Sequence, residues 1–223
     1  MSQRQHRTPR RQPPRQRSIL ARRVGPVPAW GIGLATMLLV AVVGVAIANT
    51  LSGAADRPLD YDVGSPGVGE SAPDFELPSA TGESYRLAER RGQNVLLYFH
   101  EGLGCAPCWQ QVIDVQRDLE RFEGIGVGEV VAISLDPLAA QAQHAQVNGV
   151  TLPILADEDR SVSQAYDALS YGMMGGATPG HTFILVGADG VIRWRADYGG
   201  PPKFTMYVPD ETLLDELRAV LDG

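Results

Sequence analysis

The longest apolar run, Trp30 to Leu51 (WGIGLATMLLVAVVGVAIANTL), carries no charged side chain. Beyond residue 70 the apolar positions fall into short blocks that alternate between strand and helix spacing. Phe75-Glu-Leu77 and Ser84-Tyr-Arg-Leu87 flank Ala80-Thr-Gly-Glu83, the pattern of a short hairpin. Asn94 to His100 is a continuous apolar run of strand length, as expected of a strand covered on both faces. From Ala106 to Gly124 the spacing of Trp109, Val112, Ile113, Leu119 and Phe122 predicts a helix, with Gly124 as its stop. A second buried strand is expected over Glu129–Ser134 and a helix over Pro137–Val147. Leu152–Leu155 reads as a short strand whose Pro153 marks an edge or a strand start, followed by a helix over Asp159–Leu169. Thr182–Val186 and Val191–Arg195 surround the turn signal Gly187-Ala-Asp-Gly190. The last helix is expected over Pro209–Leu221, with Asp210 as N-cap and Leu213, Leu214, Leu217 and Leu221 along one face. Alternation in the middle implies parallel strands joined by crossover helices, and the terminal hairpin adds antiparallel strands. The expected fold class is therefore α/β, a mixed central sheet flanked by helices.

The run at 30–51 has the length of a single transmembrane helix, since roughly 20 apolar residues cross a bilayer core. Residues 1–29 hold eight arginines and no acid, and are rich in Gln and Pro. They are expected to be a disordered tail on the cytoplasmic side of the anchor. The alternative is a cleaved signal peptide ending near Ala46-Ile-Ala48, although the apolar core exceeds the usual length of such peptides. Arg22-Arg23 lacks the apolar follow-on of a twin-arginine signal. Residues 52–70, rich in Gly, Pro and Asp, read as a linker, and 71–223 as the folded domain. The implied location is a bacterial cell membrane, single-pass, with the domain outside the cytoplasm. The chain's net charge of −7 conceals a split: the 11 basic residues after the tail face all 26 acidic ones, leaving −15. The bilayer accounts for the basic tail, so no nucleic-acid partner is expected.

There are two cysteines, Cys105 and Cys108, three positions apart. They are too few for a disulfide framework, and in an oxidising compartment a close pair points to redox chemistry. They follow the strand 94–100 through Glu101-Gly-Leu-Gly104 and open a helix, with Pro107 suited to its first turn. Unpaired N–H groups and the helix dipole there favour a thiolate at Cys105, and Cys108, one turn on, is in reach to resolve a mixed disulfide. Two other readings stand beside this one. A structural zinc site needs four ligands, and only His6, His100, His144 and His181 remain to supply them. An inert disulfide would close too small a loop to add much stability. In Ala177-Thr-Pro-Gly-His-Thr-Phe-Ile-Leu185, Pro179 directly before a buried strand is a candidate cis peptide, the alternative being an ordinary strand-start proline.

Taken together, the apolar strand, CAPC at a helix start, Thr178-Pro179 and the Asp189-Gly190 hairpin resemble the thioredoxin-like fold. Ala72-Pro-Asp-Phe-Glu-Leu77, Ala132-Ile-Ser-Leu-Asp-Pro137, and Leu155-Ala-Asp157 followed by Ala165-Tyr166 resemble its redoxin branch. That branch holds alkyl hydroperoxide reductase/thiol-specific antioxidant proteins and membrane-anchored thiol–disulfide oxidoreductases. The resemblance implies that Thr178 and Pro179 sit against the cysteine pair and position substrate. Family peroxidases carry Pro-x-x-x-Thr/Ser-x-x-Cys; aligned so, Cys108 is the peroxidatic cysteine, Cys105 replaces the hydroxyl and Glu101 the proline. They also carry an arginine where this chain has Gly180 and His181, with Arg193 or Arg195 as stand-ins. Without that hydroxyl and guanidinium the O–O bond loses electrostatic support.

Four further residues are candidates for tuning the pair. His100 lies at the strand end, His181 is two residues past Pro179, Trp109 follows Cys108, and Glu101 is a possible proton acceptor. Three have a plainer role, a hydrogen-bonded or surface histidine for His100, core packing for Trp109 and a solvated carboxylate for Glu101, while strand phase leaves open which way His181 faces. Met173-Met174-Gly-Gly is either a binding rim or a simple loop. The expected activity is membrane-anchored thiol–disulfide exchange with antioxidant character, Cys105 attacking and Cys108 resolving, with no cofactor. The alternatives are a thiol peroxidase with Cys108 peroxidatic, and a soft-metal chaperone module. The expected partners are protein thiols or disulfides or small thiols, with a membrane-bound or soluble thiol donor upstream and lipid contact through residues 30–51.

Overall fold

The structure, a computed structural model, describes residues 63–222. The expected tail 1–29, the anchor 30–51 and the linker residues 52–62 lie outside the described residues. Among the described residues no helix is long and apolar enough to cross a membrane.

A small antiparallel pair, β1 (Glu76–Leu77) and β2 (Tyr85–Arg86), precedes the main sheet. Then come β3 (Val95–Phe99), helix α1 (Ala106–Arg117), helix α2 (Leu119–Gly124) and β4 (Glu129–Ser134). Helix α3 (Leu138–Asn148), β5 (Ile154–Ala156) and helix α4 (Ser161–Ala165) follow. The chain closes with β6 (Thr182–Val186), β7 (Ile192–Asp197) and helix α5 (Asp210–Leu221). The five-stranded sheet has the order β5-β4-β3-β6-β7. β3, β4 and β5 are parallel, and β6 and β7 run antiparallel, as the sequence pattern implies for a mixed sheet.

β3 is buried at every residue because both of its faces are covered. Leu96 and Tyr98 point into one apolar cluster with Trp109, Val112 and Val115 of α1, Phe183 of β6, and Leu213, Leu214 and Leu217 of α5. Val95, Leu97 and Phe99 point into the other, with Phe75, Leu77, Tyr85 and Tyr166. Alternation along a strand divides these sets, and burying each such side chain is worth about 1.5–3 kcal/mol.

Four expectations are corrected in detail. The helix expected over 106–124 breaks at Asp118, whose N–H reaches back to the Asp114 carbonyl as the first helix ends. The helix expected over 159–169 is a short α4 followed by a 3-10 turn at Ala168–Tyr171, because Asp167 between them takes a left-handed conformation. Asp210 is the first residue of α5 rather than its cap: Pro209 holds the cap position, and the Asp210 carboxylate accepts from Gln111 Nε2 of α1 at 2.9 Å. Finally, the expected linker residues 63–70 run along the folded domain. The Gly64 amide donates to Asp197 at 2.7 Å, and the Gly69 amide donates to the Ile192 carbonyl at 2.9 Å.

Candidate active site

Cys105 is the N-cap of α1, held by its own amide on the Gly102 carbonyl at 3.0 Å. Its sulfur accepts from the Cys108 amide at 3.2 Å, the contact that an N-cap side chain normally makes with a helix's unpaired N–H groups. Cys105 and Cys108 form a disulfide, with their Cα atoms 5.3 Å apart. The two sulfurs are not equivalent: Cys105 is 7% exposed and Cys108 is 0% exposed.

The loop before Cys105 is fastened from three sides. The Gly102 amide donates to His100 Nδ1 at 3.1 Å, and the Leu103 amide donates to Asp136 Oδ2 at 2.7 Å. Glu101 accepts from the Met173 amide at 2.8 Å, joining this loop to the loop that leads to Thr178. Gly102 has φ +85°, and a Cβ there would collide with the Asp136 carboxylate, so the position requires glycine. Asp136 is itself oriented by Ser134 Oγ at 3.1 Å.

Beneath the pair lies a buried aromatic and imidazole cluster. Tyr98 Oη is 2.8 Å from His181 Nδ1 and donates to the Cys108 carbonyl at 3.3 Å. Tyr98 stacks on His100 with ring centroids 5.1 Å apart, and Trp109 and His100 form a T-shaped pair with centroids 5.8 Å apart. Burial lowers the pKa of His100 from 6.5 to about 3. It also holds His181 well below 6.5, with a smaller contribution from His100, and raises Tyr98 well above 10. All three are therefore neutral at pH 7 beside the disulfide.

The structure brings most of the expected residues together and redefines their parts. His100 is fully buried and hydrogen-bonded rather than on the surface, and His181 is fully buried with Nδ1 on the Tyr98 hydroxyl. Trp109 is 3% exposed and packs in the core. Glu101 accepts from the Met173 amide through Oε1 in a solvent-exposed hydrogen bond. Thr178 and Pro179 lead into β6; the Thr178 carbonyl passes so close to Gly172 that a Cβ there would collide with it, and Thr178 Oγ1 is buried with no hydrogen-bond partner. Thr178–Pro179 is trans: among the described residues the cis bonds are Ser65–Pro66 and Pro201–Pro202. Met173 and Met174 are 53% and 68% exposed on the intervening loop.

Arg195, the expected stand-in for the peroxidase arginine, is committed elsewhere. It is fully buried, donates to both carboxylate oxygens of Asp197 at 2.8 and 3.0 Å, and donates to the Pro66 carbonyl at 3.1 Å. Its register partner is Ile184, so it lies on the sheet face opposite the Trp109 cluster. Arg193 is on the surface, paired with Asp189. Two contributors escaped the sequence reading. The signal for Tyr98 was a lone hydroxyl in an apolar strand. For Asp136 it was an acid just past the carboxyl end of a parallel strand, where such sheets place their sites.

Residues 68–195 match the AhpC/TSA family. The chain is 36% identical over 125 residues to a putative peroxiredoxin of Mycobacterium tuberculosis, covering 56% of this chain and 73% of that one. It is 30% identical over 127 residues to the thiol-disulfide oxidoreductase ResA of Geobacillus thermodenitrificans, covering 56% of this chain and 67% of that one. The crystal structure of peroxidoxin BcpB from Mycobacterium tuberculosis superposes with a TM-score of 0.57 at 25% identity, covering 69% of this chain and 97% of that one. The chain belongs to the AhpC/TSA family and is an oxidoreductase of the thioredoxin-like superfamily.

Proposed function

We propose that this protein is a membrane-anchored thiol–disulfide oxidoreductase in which Cys105 attacks and Cys108 resolves. The observation that carries it is the asymmetry of the pair: Cys105 caps the helix at the surface side, whereas Cys108 is sealed beneath it. The Cys105 thiolate attacks a substrate disulfide, and Cys108 stays in place to attack Cys105 Sγ and release the reduced substrate. Protein thiols or disulfides, or small thiols, are the substrates, delivered past Thr178 and Pro179 and the exposed Met173 and Met174. A membrane-bound or soluble thiol donor returns the electrons. Residues 30–51 hold the domain at the outer face of a bacterial cell membrane, with residues 1–29 in the cytoplasm. The support for this placement is the uncharged apolar run directly after an arginine-rich segment. Deleting residues 30–51 is expected to move the protein from the membrane to the soluble fraction.

Relatives named as peroxiredoxins favour a second reading, a thiol peroxidase in which Cys108 is oxidised to sulfenic acid and Cys105 condenses with it. The buried Cys108 and the engagement of Arg195 by Asp197 favour exchange over peroxide chemistry. Cys105→Ser and Cys108→Ser decide between the two. Under the first reading Cys108→Ser accumulates a mixed disulfide with a protein substrate, and peroxide consumption is negligible. Peroxide turnover that survives Cys105→Ser and dies with Cys108→Ser overturns it.

A further inference from the structure

We propose that His181, held by Tyr98, takes up the proton that compensates the Cys108 thiolate when the disulfide opens, so that the buried sulfur remains a nucleophile. This rests on the exchange reading above and names the group that manages its charge.

In exchange, a donor thiolate bonds to Cys105 Sγ, the S–S bond breaks, and its electron pair stays on Cys108 Sγ. That sulfur is fully buried, so water does not stabilise the new charge, and an isolated ion in such surroundings is costly. The polar and titratable groups of the elements that meet the start of α1 are these. β3 offers Tyr98 and His100, β6 offers His181, and β7 leads to Tyr198, whose ring meets Phe183. The first turn of α1 carries no acid, and farther along it Gln111 and Asp114 face Asp210 and Tyr207. Glu101 is bound to the Met173 amide, and Arg195 lies across the sheet on Asp197. A compensating positive charge therefore falls to an imidazole.

The hydrogen bonds separate the two candidates. His100 Nδ1 already accepts from the Gly102 amide, so its proton sits on Nε2 and no accepting nitrogen remains. With the Tyr98 hydroxyl donating to the Cys108 carbonyl, its oxygen accepts from His181 Nδ1–H. His181 Nε2 is then a bare lone pair, buried and without a partner. It accepts the proton left by the donor thiol, giving an imidazolium linked to Cys108 through the Tyr98 hydroxyl; neighbouring His⁺ is a known means of stabilising thiolates. A second donor thiolate then attacks the donor sulfur of the mixed disulfide, releasing a donor disulfide and the Cys105 thiolate; Cys105 attacks a substrate disulfide, and Cys108 Sγ attacks Cys105 Sγ, so that the substrate leaves as two thiols, one of them taking the proton from His181. Atoms, electrons and protons balance over the cycle.

The test uses full-length Cys105→Ser protein, in which Cys108 is the lone thiol. Thiolate absorbance is followed against pH, alone and combined with His181→Gln or with Tyr98→Phe, which removes only the hydroxyl. The expected result is a Cys108 thiolate that appears together with the His181 imidazolium signal, and a fall in thiolate fraction near pH 7 of tenfold or more with His181→Gln. Tyr98→Phe shifts the titration in the same direction by less. In the two-cysteine protein, His181→Gln moves the pH profile of glutathione exchange upward. Unchanged thiolate titration in both variants overturns the proposal, whether or not exchange occurs. A Cys105→Ser protein that titrates as expected, beside wild-type protein that exchanges with no thiol, overturns the exchange reading and leaves the ion pair in place.

Discussion

Asp136 accepts the Leu103 amide at 2.7 Å, and this contact carries the end of β4 to the loop from which Cys105 is presented. The carboxylate sits beyond the strand next to β3, so a residue 31 positions after Cys105 shapes how that cysteine is offered. Removing it with Asp136→Ala leaves a half-buried amide without its acceptor. The expected loss is about 1–3 kcal/mol by urea unfolding, with a changed rate of disulfide reduction by dithiothreitol.

Gly102→Ala drives a methyl group into that same carboxylate from a left-handed backbone position. We expect it to cost more than the roughly 1–2 kcal/mol of the backbone term alone. In the double variant with Asp136→Ala the clash is gone, so the summed single effects should exceed the double effect. Additive losses would show that the two residues act separately.

Arg195 and Asp197 make a fully buried ion pair that also holds the chain entering the domain, through the Gly64 amide and the Pro66 carbonyl. Arg195→Met leaves the Asp197 charge to Thr182 and Gly64 alone. A destabilisation of about 3–5 kcal/mol is expected by denaturant titration. Residues 63–70 should then become more open to proteolysis.

The buried histidines and Asp210 make opposite contributions to pH dependence. His100 and His181 are depressed in the folded state, so the unfolded chain binds their protons first. Their contribution is present above pH 6.5 and is lost as pH falls toward the folded values, by about 1.4 kcal/mol per pH unit for each. Asp210 is raised to about 7 by burial, with Asp118 and Asp114 adding to it. Its contribution is present at low pH and is lost as pH rises from 3.8 to about 7. Unfolding free energy should therefore climb between pH 5 and 6.5, and more steeply in Asp210→Asn. That variant keeps an oxygen for Gln111 Nε2 and should be more stable than the parent at pH 7, by about 1 kcal/mol or more. A shallower climb in Asp210→Asn would contradict the assignment.

Much of this molecule is written locally. The continuous apolar run 94–100, the alternating blocks after it and the turn at Gly187–Gly190 carried the mixed sheet, because burial on both faces demands unbroken apolar strands. The helix start at Cys105 was legible from Gly104, Pro107 and the apolar spacing beyond them. What periodicity did not carry was the commitment of polar side chains. Glu101, Arg195, His181 and Asp210 looked available along the chain, and each is engaged by a residue more than 60 positions away. Such pairings follow from which strands lie adjacent and which face each side chain takes. The sequence alone therefore determined the strands, the helix start at the cysteines and the pair itself. Only the tertiary structure decided which cysteine is sealed, which polar side chains are buried, and which charges are already taken, because burial and charge pairing arise when distant segments meet.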